Sequence, residues 1–108
     1  MVAAAFEISG WAGSQVHVFE GDSAYDLLSQ LQRIQDMNCL VRMGSMMEDA
    51  KGKKELKKLE KVLKKYQNDT LTMEDLAGFN VILSVGSFIC LEVAEGEEEI
   101  QMLKEKYL

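Results

Sequence analysis

Apolar positions alternate singly near both ends of the chain and recur at helical spacing through its middle. Residues 2–9 (VAAAFEIS) and 15–20 (QVHVFE) read as strands joined by a turn at Gly10-Trp11-Ala12-Gly13. In the second strand Val16 and Val18 share one face, and Gln15, His17 and Phe19 share the other. Gly21-Asp22-Ser23 offers a helix cap. From Ser23 to Met37 the residues Tyr25, Leu28, Leu31 and Ile34 keep a helical period, closed by Asn38. Cys39–Met43 (CLVRM) and Met46–Ala50 read as two short strands about a turn at Gly44-Ser45.

Leu56, Leu59, Val62, Leu63 and Tyr66 form an apolar stripe along Lys51–Tyr66, which predicts an amphipathic helix. Glu55–Lys58, Glu60–Lys64 and Lys57–Glu60 are neighbours on its surface. Gln67-Asn68-Asp69 breaks that helix, and Thr72 with Asp75 resembles a capping box for a short helix through Leu76 and Phe79. Residues 81–85 are apolar but too few for periodicity to separate a strand from a buried helix. Gly86-Ser87 marks a turn before the clearest strand, Phe88–Ala94. The last helix, Glu97–Leu108, points Ile100, Leu103 and Tyr107 inward. Glutamates fill its first turn and Lys104 and Lys106 its last, as the helix dipole favours.

Composition narrows the class. A chain of 108 residues with 47% hydrophobic and 28% charged residues is expected to fold as one globular domain over 1–108. No apolar run reaches the roughly 18 residues that span a bilayer, and the N-terminus lacks the basic start of a secretion signal. Cys39 and Cys90 are flanked by apolar residues, which suits buried thiols in a reducing cytoplasm. The net charge of −6 argues against a nucleic-acid partner. That charge is unevenly spread. Lys51–Tyr66 holds eight lysines against two glutamates, about +6, so the rest of the chain sums to about −12.

The C-terminal third carries a family resemblance. Leu76-Ala77-Gly78-Phe79 with Leu83 and Val85, then alternating Ile89, Leu91 and Val93 turning through Ala94-Glu95-Gly96 into an acidic-started helix, resembles HPr, the histidine phosphocarrier of the bacterial sugar phosphotransferase system. The resemblance implies an α+β open-faced sandwich: a small, mostly antiparallel sheet with three to four helices on one face, in the order βαββαβα. The lysine helix is then an insertion or an elongated second helix. The resemblance also implies a phosphoryl-accepting histidine at the N-terminus of the first helix, with an arginine and a proline after it. Gly21-Asp22-Ser23 stands there instead, beside an acidic Glu20, and the chain has no proline. Asp75 or Gly52, depending on alignment, occupies the place of the family's regulatory serine.

His17 is the lone histidine and the one candidate phosphoryl acceptor; otherwise it is a residue on the less buried face of an edge strand. One histidine and two distant cysteines make no metal-ligand spacing. No nucleophile–base pairing or phosphate-cradling glycine motif stands out, so neither a catalytic group nor a cofactor is expected. The lysine stripe (Lys57, Lys61 and Lys64) and Trp11, beside glycines, are the candidate partner-binding residues. A helix without arginine serves bidentate phosphate recognition poorly, which turns the expectation toward a protein partner or self-association. The function expected from these readings is non-catalytic binding or regulation through protein contacts. The alternatives are a phosphoryl carrier using His17 and an unrelated homodimeric protein.

Overall fold

Two β-hairpins lie side by side as one antiparallel sheet. The computed structural model describes every residue except Trp11, Met47, Glu48, Ser84 and Val85, and describes Met43 by its backbone. In chain order the elements are β1 (Val2–Gly10), β2 (Gly13–Gly21), α1 (Ala24–Ile34), α2 (Met37–Gly44), α3 (Ala50–Gln67), α4 (Met73–Ala77), β3 (Asn80–Leu83), β4 (Gly86–Glu95) and α5 (Glu97–Tyr107). The sheet order is β2-β1-β4-β3, every pair antiparallel. This is the expected α+β open sheet, with four helices on one face and a fifth on the reverse. The hairpin of β1 and β2 closes with Gly10 opposite Gly13, and Gly13 has φ 115°, a backbone setting that a side chain would strain.

The alternation in VAAAFEIS places residues on two different surfaces. Ala4 and Phe6 face the main core with Phe19, Phe88 and the buried leucines of α1, α3 and α4. Phe6 sits at its centre, with ring centroids 5.9 Å from Phe19 and 6.1 Å from Phe79. Ala3, Ala5 and Ala94 face the other way and take Ile100 and Leu103 of α5 against them. Small residues at these positions let a helix backbone approach the sheet closely. The four helices α1–α4 therefore share one face while α5 covers part of the reverse. The β1–β4 register shifts between Ala5, opposite Glu92, and Phe6, opposite Cys90, which leaves Leu91 as the bulged residue.

Several local expectations are revised. Residues 39–43 are helical, within α2, because Met37 and Leu40 bury their side chains one turn apart in the main core. Met46 lies in a turn and Ala50 already starts α3, so no strand forms at either end of 46–50; Met47 and Glu48 lie outside the described residues. The element order thus runs two strands, four helices, two strands and a helix. Helix α1 ends at Ile34 with Gln35 as its C-cap rather than at Asn38. Its buried face is Ala24, Leu27, Leu28 and Leu31, which turns Tyr25 and Ile34 outward. The undecided segment is a strand as far as Leu83; Ser84 and Val85 lie outside the described residues. The Thr72–Asp75 capping box is present in both directions.

Candidate functional site

Helix α3 divides its charges between an inward and an outward face. Asp49 caps it by accepting from the Lys51 N–H at 3.1 Å. Leu56, Leu59 and Leu63 hold it to the main core. Glu55 lies on that same inward side, only 8% exposed. Its Oε2 accepts from the backbone N–H of Ile82 at 2.9 Å and its Oε1 from Lys58 Nζ at 2.9 Å. Lys58 first and the Ile82 amide second hold the Glu55 carboxyl below its ordinary 4.5, against an opposing effect of burial. Farther along, Lys65 Nζ donates to Asp75 Oδ1 at 2.7 Å. That bond, with those from Thr72, keeps the Asp75 carboxyl below its ordinary 3.8. The Glu55–Ile82 bond and the Lys65–Asp75 pair tie α3 to β3 and α4 beside it.

The remaining lysines point to solvent. Lys57, Lys61 and Lys64 are exposed and, among the described residues, make no ion pair. Their i, i+4, i+7 spacing places them on one side of the helix over about 10 Å. Lys51, Lys53 and Lys54 extend the same exposed surface, with Glu60 the acidic residue among them. Glu60 has no ion pair among the described residues, so its expected pairing with Lys57 or Lys64 is not present. Opposing this surface across the sheet, α5 opens with Glu97, Glu98 and Glu99. Its lysines are engaged, Lys104 with Glu20 at 2.8 Å and Lys106 with Glu92 at 3.4 Å. The molecule is therefore electrically two-sided.

His17 is placed elsewhere. It lies half-buried on the helix-bearing face of β2, its ring stacked 6.0 Å from that of Phe19. A broad cleft of about 910 Å³ opens there, between the far ends of the strands and the end of α1. Gln15, His17 and Gln35 give it polar groups, and Ile8, Leu40 and Phe88 an apolar floor. No lysine or arginine is among its described lining residues. The His17 side chain makes no hydrogen bond among the described residues, so no polar partner described there fixes its tautomer or neutralises a phosphoryl group.

The N-terminus of α1 already holds an anion of its own: Asp26 Oδ2 accepts from the Asp22 N–H at 2.9 Å. His17 and the lysine stripe are thus not brought together. Trp11, the other candidate contact, lies outside the described residues.

Cys39 and Cys90 are free thiols. Burial pushes the Cys90 thiol up to about 11, so it stays protonated near neutral pH and is a poor nucleophile. Among the described residues no cluster of histidine, cysteine and carboxylate side chains suits a metal ion, and no helix is long and apolar enough to cross a membrane.

Sequence reasoning expected the Glu55–Lys58 pair, which is present, but missed the burial of Glu55 and its bond to the Ile82 amide. The signal was available: Glu55 lies four residues before Leu59, on the apolar stripe rather than opposite it. No family model, no curated protein and no solved structure matches this chain.

Proposed function

We propose that this protein acts by binding and not by catalysis, with the outward lysine face of α3 engaging an acidic protein surface in a cytoplasmic setting. The observation that carries this reading is the division of labour on α3. Lys58 and Lys65 are spent on internal ion pairs, while Lys57, Lys61 and Lys64 stand together and unpaired among the described residues. A row of mobile ammonium groups suits an acidic, irregular surface, to which it steers a partner by long-range attraction. The lone histidine supports the same reading from the other side, since no lysine or arginine is among the described residues that line its cleft.

The test is affinity capture with the intact chain at low and at raised salt, comparing wild type with Lys57→Glu/Lys61→Glu/Lys64→Glu and with Trp11→Ala. A protein retained by wild type and Trp11→Ala, but lost with the triple reversal and at raised salt, supports the lysine face. A partner indifferent to the reversal refutes it. The competing phosphocarrier reading predicts an acid-labile phosphoryl gain from phosphoenolpyruvate and the general phosphorylating enzyme, abolished in His17→Ala.

A further inference from the structure

We propose that β2 is a homodimerisation edge, through which two copies join their sheets antiparallel about a two-fold axis at Val16. The two outer strands of the sheet differ in what covers them. At β3 the outward N–H of Ile82 is taken by Glu55. At β2 the pairing with β1 begins at Gly10 and Gly13 across a two-residue turn, which makes that first pair a hydrogen-bonded one. Alternation then leaves Ser14, Val16, Val18 and Glu20 with N–H and C=O groups directed away from β1. The Glu20 carbonyl does point outward, where it accepts from Gln30 Nε2 at 2.7 Å. No hydrogen bond of the described residues reaches the backbone of Ser14, Val16 or Val18 from outside.

The usual defences of an open edge are missing here. Between Gly13 and Phe19 the strand has no proline, no lysine and no other charged side chain. Val16 is 42% exposed.

Among the possible pairings, a second copy fits this edge for a reason of register. An antiparallel pair centred on Val16 sets Ser14 against the partner's Val18 and Val18 against the partner's Ser14, and so uses all three free residues at once. The pairs between them set Gln15 beside the partner's His17, with no like charges opposed. Sterically the arrangement is open. Among the described residues, helices α1 and α5 reach β2 near its base, through Gln30 and Lys104 at Glu20 and Tyr107 near Val18. An antiparallel partner places its own base toward the hairpin end at Ala12 and Gly13. The product is one continuous eight-stranded sheet, and the lysine faces of both α3 helices remain free for the partner proposed above.

Sedimentation velocity on the intact chain tests this. Wild type is expected to rise from its 12.2 kDa monomer mass toward twice that value into the high micromolar range. Val16→Pro removes one outward N–H without touching the β1 ladder, and is expected to stay monomeric with the wild-type circular dichroism spectrum. Should that variant not fold, Val16→Cys gives an independent reading. The two-fold brings the two Cα atoms to about 5.5 Å, within disulfide reach, so mild oxidation should yield a covalent dimer that wild type and Ile82→Cys do not. A wild type that stays monomeric, or a dimer in which Val16→Cys does not cross-link, overturns the assignment.

Discussion

The two outer strands of this sheet are finished in opposite ways. At β3 a helix lies alongside, and Glu55 reaches from it to the Ile82 amide while gripping Lys58. At β2 the strand runs nine residues and, among the described residues, is met from α1 and α5 toward its C-terminal end, by Gln30 and Lys104 at Glu20 and Tyr107 near Val18. A short edge strand is thus sealed by a buried carboxylate, whereas the long one keeps its hydrogen-bonding groups in water. The difference shows how one charged residue serves as a structural cap in one place while uncharged residues leave another place open for association.

Removing the anchor of the sealed edge should have the largest effect. Leu59 is fully buried, and Leu59→Ala is expected to cost about 2–5 kcal/mol in urea unfolding through the cavity it leaves beneath α3. Next comes a paired substitution that probes the edges directly. Ile82→Pro deprives Glu55 of its donor, whereas the Val16 N–H has no described partner. Ile82→Pro should therefore be less stable than Val16→Pro by about 1.5–3 kcal/mol, the range for a hydrogen bond to a charged group. Comparable stabilities would mean that the edges do not differ in the way described.

The sealed edge also has a pH signature. The folded-state carboxyl of Glu55 is held below its ordinary 4.5, so its contribution is present above that value and lost as pH falls through the lowered one. Glu55→Gln should flatten the loss of stability below about pH 4.5 in thermal melts, leaving the acid dependence due to Asp75, which is shifted in the same direction. The smallest stability change belongs to the outward lysines. Reversal of Lys57, Lys61 and Lys64 should alter unfolding by no more than about 0.5 kcal/mol each, because exposed charges of this kind contribute little to folding. A larger loss would assign these lysines a structural role and weaken the binding reading.

Much of this architecture was legible from pattern alone. The amphipathic stripe of α3, the alternation in β1, β2 and β4, the acidic-to-basic course of α5 and the Thr72 capping box all follow from local chemistry. The strand reading of residues 39–43 failed because five mostly apolar residues carry no decisive period; burial of Met37 and Leu40 in the same core selects the helix. Residues His17–Leu28 and Glu92–Leu103 each run from strand through glycine into helix. Yet α1 packs with the main core and α5 on the reverse face. For the candidate site, the exposed lysine stripe was visible in the sequence, while its separation from His17 was not.

Periodicity and composition act through neighbours along the chain, and they sufficed for the amphipathic α3, the alternating β2 and β4 and the gathering of positive charge on one helix. Only the folded chain turns Glu55, which keeps its pair with Lys58, toward the Ile82 amide to seal the β3 edge, and leaves the backbone of Ser14, Val16 and Val18 without an outside partner among the described residues. Those outcomes depend on residues as far apart as Glu55 and Ile82 meeting across the fold, where the direction of an unpaired amide, which no local pattern records, sets what must satisfy it.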